Sequence, residues 1–376
     1  MTKKVLGVFL ALFLLGSLSV LAAGTVKIGV VYEQTGAVAS FGQSAVNATK
    51  MLVDDLNAKG GIKGLGKIEL VIEDNKSDAA ESANAYNKLI YKDKVVAILG
   101  PITSTNTLAA APIAQQAGIP IITPTATNEK VTLVGNYIFR ACFIDPFQGK
   151  VGAVFAAKDL KLKRVAVMPE TTSDYAMGLV KNFKENFEKL GGKIVAEEKW
   201  SSGDQDFSAQ LTKIKAANPE AIYVGSYYAD IAQISRQARQ IGLNVPLIGG
   251  DGFDSPDLFK LGGEAVVGHY FTNHYSPDAS DKVVQDFVKA YKARYKEVPD
   301  ALAALGYDAA ALMFDAIRRA GKADPKAIRD ALAKTKGFKA VSGSISFDEN
   351  RNPVKAAVIL QVQKDGTYKF VKTVQP

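Results

Sequence analysis

Hydrophobic and polar positions follow two periods along this chain, and the order in which those periods appear predicts the architecture. Strand candidates stand at Val26–Tyr32, Ile68–Glu73, Val95–Leu99 and Ile119–Thr123, and Val95–Leu99, an apolar run without polar alternation, reads as a strand covered on both faces. Between them, apolar residues recur at helical spacing over Ala45–Lys59, Ser82–Lys92 and Thr107–Ala117, with Ala48, Met51, Leu52 and Leu56 forming one such stripe. Strand and helix in alternation predict a parallel sheet wound on both faces. The rhythm restarts after Asp145-Pro146-Phe147. Strands are predicted at Arg164–Pro169, Lys193–Trp200, Ala221–Gly225, Val245–Ile248 and Val266–Phe271, and helices near Ala176–Leu190, Ser208–Ala217, Ile231–Ile241 and Asp257–Leu261. Helices return at Asp281–Tyr295, Ala301–Ala320 and Pro325–Lys334, before three short strand candidates in the tail at Ser342–Phe347, Val354–Gln363 and Thr367–Thr373. A chain of 376 residues exceeds what one core usually serves, so two α/β lobes with a cleft between them are expected.

Candidate chemistry gathers where predicted strands end. Val95–Leu99 runs into Gly100, Pro101, Thr103, Ser104, Thr105 and Asn106, and Ile119–Thr123 runs into Pro124, Thr125, Ala126 and Thr127. Adjacent parallel strands deliver these hydroxyls to one carboxyl-end edge, where open α/β sheets bind ligands. The residues from Ser104 to Asn106 also sit where a helix begins. They read either as helix caps or as part of a small-anion pocket built on free backbone amides. In the second half, Gly249-Gly250-Asp251-Gly252-Phe253 sets an acid among glycines at a strand end, either as a turn aspartate or as the partner of an ammonium. Tyr175 and Tyr227 follow two other strands of that half, as packing aromatics or as ligand contacts.

The remaining features narrow the class. Lys3 and Lys4, the apolar run Val5–Leu21 and Ala22-Ala23-Gly24 describe a secretory signal over residues 1–23, with no cysteine beside it to take a lipid anchor. Without that segment 44 basic residues face 38 acidic ones, interleaved along predicted helices, which speaks for a solvated surface and against nucleic-acid binding. Cys142 is alone and cannot form an internal disulfide, and His269 and His274 are the only histidines. The stretch Gly61-Ile62-Lys63-Gly64-Leu65-Gly66-Lys67-Ile68 imitates a phosphate-binding loop but has Ile68 where a hydroxyl is needed and leads from helix into strand. Adjacent acids such as Asp54-Asp55, Glu73-Asp74 and Glu197-Glu198 cannot face each other on a helix or strand. No catalytic cluster, metal site or cofactor is expected.

Five stretches together resemble the periplasmic substrate-binding proteins of ABC transporters, in particular the branched-chain amino-acid type. These are Ile28-Gly29-Val30 with Thr35-Gly36 and Phe41-Gly42; Asp55 to Ile62; Gly100-Pro101 with Ser104; Thr123 to Thr127; and Arg236-Gln237-Ala238-Arg239. The resemblance implies a type I periplasmic binding fold, two doubly wound lobes with parallel-sheet cores joined by a three-segment hinge near Ile144, Tyr275 and Lys355. The lobes it implies are 24–144 plus 276–355 and 145–275 plus 356–376. It implies an amino-acid ligand, a membrane permease as partner, an extracytoplasmic location with no membrane insertion after signal cleavage, and no enzymatic activity. A ligand sensor or amide-responsive receptor of the same fold is the alternative. By position, Ser104, Thr127 and backbone around Thr125 and Ala126 match groups that hold the ligand carboxylate and amine, with Thr103 beside them. Asp251 matches the acid for the ammonium, and Tyr227 and Tyr175 match aromatic contacts. Phe41 stands where relatives carry tyrosine, and Tyr175-Ala176 departs from the commoner Tyr-Gly.

Overall fold

The structure, a computed structural model, describes residues 24–376; the signal-like segment 1–23 lies outside the described residues. Two sheets organise the chain. The first has five strands, all parallel, in the order Lys67–Asp74, Thr25–Tyr32, Ala97–Leu99, Ile121–Thr123, Ile138–Arg140. The second has seven, in the order Tyr368–Val374, Ala357–Val362, Tyr270–Asn273, Leu247–Gly249, Ala221–Gly225, Arg164–Pro169, Lys193–Glu197. Its last five are parallel and the two from the tail run antiparallel at one edge. The continuous apolar runs are the buried central strands: every residue of Ala97–Leu99, Ile121–Thr123 and Ala221–Gly225 is buried.

Several boundaries move for local reasons. The first helix spans Ala39–Ala58, six residues earlier than the apolar stripe announces, because its opening turn buries Phe41 and Gly42. The segment expected as Ser82–Lys92 is a helix Ala79–Asn87, capped by the Asp78 side chain on the Glu81 amide at 2.9 Å, followed by a wider turn at Lys88–Lys92. The strand expected at Val266–Phe271 begins only at Tyr270, since Gly263–Val266 forms a 3-10 turn and Gly268 adopts φ 84°. Cys142 is buried and free, as a small hydrophobe would be. The phosphate-loop look-alike closes a turn through a bridge between Ile62 and Gly66 and leads into a strand, without the strand-to-helix geometry the mechanism needs.

The helices Lys282–Tyr295 and Ala301–Ala320 come in sequence between strands of the second sheet but pack against the first helix. Ala48 and Met51 of Ala39–Ala58 share a buried cluster with Val284, Phe287, Ala301 and Ala304. The crossing is close: a Cβ on Gly306 would stand 2.8 Å from the Ala45 Cα. This places the start of Ala301–Ala320, and with it Leu302, beside the carboxyl ends of the first sheet. Among the described residues no helix is long and apolar enough to cross a membrane.

Candidate functional site

The carboxyl ends of the two sheets face one another, and the segments that follow the strands line a small cavity between them. The first sheet's side supplies Thr103, Ser104 and Thr125, with Phe41 from the first helix; the second supplies Tyr175, Tyr227 and Asp251. Of three further wall residues, Gly252 belongs to the glycine-flanked acid motif, whereas Ile102 and Leu302 are ones the sequence did not single out. Leu302 had no signal beyond ordinary helix-face hydrophobicity, because only the helix crossing brings it here.

The hydroxyl clusters prove to be divided in their work. The helix Ser104–Ala117 has Thr103 at its N-cap position, but the Thr103 side chain does not cap it. Its hydroxyl donates to Glu33 Oε1 at 3.0 Å, as do the Thr103 amide at 3.0 Å and Asn106 Nδ2 at 2.9 Å, while the Ile102 amide donates to Oε2 at 3.0 Å. Glu33, fully buried, thus holds the loop and leaves the first amides of a 14-residue helix without a side-chain acceptor at the cavity wall. Burial raises the Glu33 pKa, and those four donors oppose the rise. The Thr125 hydroxyl donates to the Ile102 carbonyl at 2.8 Å, and Ser104 Oγ accepts from the Asn128 amide at 3.1 Å. Ala126 and Thr127 are buried but do not border the cavity. Ala126 packs in the core of the first sheet, and the Thr127 hydroxyl lies beside the buried Asp145 carboxylate.

On the opposite wall the Asp251 carboxylate is held at both oxygens. Gln148 Nε2 donates to Oδ1 at 3.0 Å, and His274 Nε2 lies 2.9 Å from Oδ2. Neither partner was anticipated, since they lie 103 and 23 residues away in sequence. Tyr175 and Tyr227 stack at 5.3 Å, and the Tyr175 hydroxyl accepts from the Gly252 amide at 3.1 Å. Burial pushes both phenols well above their ordinary range, so they stay protonated. Gly250 has no room for a side chain, as a Cβ would meet the Tyr175 hydroxyl at 2.4 Å. Among the described residues, none lining the cavity is lysine, arginine or histidine.

The two sides also touch directly around the rim. Ser40 Oγ and Ser255 Oγ lie 2.9 Å apart, the Asp174 amide donates to Thr105 Oγ1 at 3.0 Å, and Asn128 Nδ2 donates to the Asp174 carbonyl at 2.7 Å. Phe41 meets the edge of Tyr227 at 5.8 Å. The cavity therefore lies between the two sides, with an acid at one wall, an uncapped helix N-terminus at the other, and Phe41, Ile102 and Leu302 supplying apolar surface. Such an arrangement offers separate partners for a positive and a negative group, with apolar surface between them. The paired acids Glu73 and Glu197 instead engage Lys88 and Lys184 in partly exposed ion pairs.

A family model described as "Periplasmic binding protein" matches residues 25–367. The leucine-, isoleucine-, valine-, threonine- and alanine-binding protein of Pseudomonas aeruginosa is 30% identical over 352 residues, 93% of this chain and 92% of that protein. The crystal structure of the leucine binding protein LivK from Thermotoga maritima is 43% identical with a TM-score of 0.88, covering 93% of this chain and 99% of that one. The branched-chain amino acid transporter substrate binding protein LivJ of Streptococcus pneumoniae, in complex with isoleucine, is 38% identical with a TM-score of 0.89, covering 94% and 100%. A solute binding protein of an ABC transporter from Rhodopseudomonas palustris, in complex with 3,4-dihydroxy benzoic acid, is 30% identical with a TM-score of 0.84, covering 93% and 97%.

Proposed function

Because this chain belongs to the periplasmic binding protein family, we propose that it is an extracytoplasmic receptor that captures an aliphatic amino acid, of the branched-chain class, and delivers it to an ABC permease. The observation that carries this reading is the opposition, across one small cavity, of Asp251 and the uncapped start of the helix Ser104–Ala117. The ammonium goes to Asp251, and the carboxylate to the helix amides with Ser104. Phe41, Ile102 and Leu302 receive the side chain.

In this reading the lobes comprise 24–144 plus 276–355 and 145–275 plus 356–376, and they swing about the three connections near Ile144, Tyr275 and Lys355. The zwitterion bridges them. A ligand shifts an open–closed balance only through better binding to one state, and Asp251 reaches an amino acid seated on the other lobe only on closure. The related proteins are solute-binding proteins, and a receptor of this kind returns its ligand unchanged.

Calorimetric titration tests the assignment. The protein, unfolded and refolded to strip any bound ligand, is titrated with the standard amino acids, their amides and aromatic carboxylic acids. Micromolar or tighter binding of leucine, isoleucine or valine, worth about 8 kcal/mol or more, and its loss in Asp251→Ala are the expected results. Binding of aromatic acids alone, indifferent to Asp251, would replace the amino-acid reading with that of an amine-free carboxylate receptor.

A further inference from the structure

His274 stands directly behind the acid of the cavity. Its side chain has no exposed surface, its Nε2 lies 2.9 Å from Asp251 Oδ2, and its ring stacks on Phe143 with centroids 3.8 Å apart and planes inclined by 26°. Burial holds the imidazole pKa below its ordinary value, against the opposing pull of Asp251. A neutral imidazole facing a carboxylate oxygen carries its proton on Nε2 and donates it, which leaves Nδ1 as an acceptor; that atom has no hydrogen-bond partner. The strand Tyr270–Asn273 ends one residue earlier, and Phe143 lies two residues before the helix Asp145–Val154. Gln148, the other donor to Asp251, belongs to that same helix.

We propose that His274 is the positioning residue of the ammonium site: with Gln148 it fixes the Asp251 carboxylate from behind, and through Phe143 it ties that orientation to two of the connections between the sheets. This inference rests on the amino-acid receptor reading. An aspartate rotates about two side-chain bonds. Holding one oxygen from each side leaves the remaining lone pairs aimed into the cavity, where they meet a ligand ammonium without reorganisation. Without His274, one oxygen is released and the carboxylate turns toward water or its neighbours, so charge is retained but direction is lost.

The test uses the full mature chain with His274→Ala and His274→Gln, since a glutamine amide places an N–H close to where the imidazole Nε2–H stands. Leucine and its amine-free analogue 4-methylpentanoate are titrated by calorimetry, with the analogue followed to millimolar concentration. His274→Ala is expected to weaken leucine binding about ten- to a hundredfold, the loss of one hydrogen bond to a charged group. His274→Gln is expected to recover most of that loss, and binding of the analogue is expected to change little. Unchanged leucine binding by His274→Ala overturns the inference while leaving the receptor reading intact. So does a His274→Gln variant as weak as the alanine one, or an equal loss for leucine and analogue, either of which marks His274 as a packing residue. If the unaltered protein binds no amino acid, the receptor reading falls and the inference with it.

Discussion

Glu33 shows how a residue outside the cavity determines what the cavity offers. By accepting from the amides of Ile102 and Thr103, the Thr103 hydroxyl and Asn106, it occupies the side chains that would otherwise cap the helix Ser104–Ala117. Glu33→Gln places an amide N–H against the Ile102 or Thr103 donors, so a loss of about 1–3 kcal/mol of stability is expected from the unsatisfied pair. Weaker ligand binding should accompany it, and urea titration with calorimetry on the same samples reads both. At Asp251, removal of the carboxylate in Asp251→Ala should cost about 2–5 kcal/mol of binding free energy, as for a buried charge partner. A smaller loss would place the ammonium elsewhere. Asp251 and both tyrosines were legible in the sequence because each follows a strand end. Gln148, His274 and Glu33 were not, since their roles arise from contacts between segments remote in sequence.

At the scale of elements, alternation of strand and helix was legible because burial imposes a period on each, whereas boundaries were set by local closure. The first helix starts at Ala39, ahead of its apolar stripe, and the strand Tyr270–Asn273 starts late because Gly268 turns the chain. The packing of Ala301–Ala320 on Ala39–Ala58 has no counterpart in either pattern. It depends on Gly306, whose added Cβ would meet the Ala45 Cα and carbonyl oxygen at 2.8 Å each. Gly306→Ala should therefore push the helices apart and destabilise the fold by about 1–3 kcal/mol, typical of overpacking. Since Leu302 lies one turn away on the same helix and lines the cavity, ligand affinity should fall too. A gain in stability from the improved helix propensity of alanine, seen as a higher urea midpoint, would contradict this.

The molecule as a whole carries a pair of acids where its two sides meet. Asp254 Oδ2, from the segment after Leu247–Gly249, accepts from the Ala301 amide at 2.7 Å and from Asn273 Nδ2 at 2.8 Å. Asp300 caps the same helix through the Ala303 amide at 2.8 Å and accepts from Ser44 Oγ at 2.6 Å. Burial pushes Asp254 up to about 6; burial and then the charge of Asp254 push Asp300 up to about 8. Both values exceed the ordinary carboxylate value of 3.8, so the folded protein holds protons that the unfolded chain releases. This contribution to stability is complete below about pH 4 and is lost as pH rises toward 8, at no more than about 1.4 kcal/mol per pH unit for each proton retained. Asp300→Asn keeps a good capping residue and should flatten that decline. Unfolding free energies at pH 5, 6, 7 and 8 compare the two proteins, and parallel slopes would count against the acid pair as its source.

The sequence by itself determined two α/β units, the strand ends at which polar residues emerge, and the family to which those residues belong, because burial on both faces of a parallel sheet leaves a local and periodic imprint. It also put Asp251 and the hydroxyl-rich loops each at the carboxyl end of a strand, while the family resemblance implied that these two edges face one another across a cleft. Only the tertiary structure decided which hydroxyls are already committed to Glu33, which residues stand behind the cavity as Ala126 and Thr127 do, and which distant partners, His274, Gln148 and Leu302, complete it. Those decisions depend on directions and on distances of a few ångströms between segments far apart in the chain, and no local pattern of residue types records them.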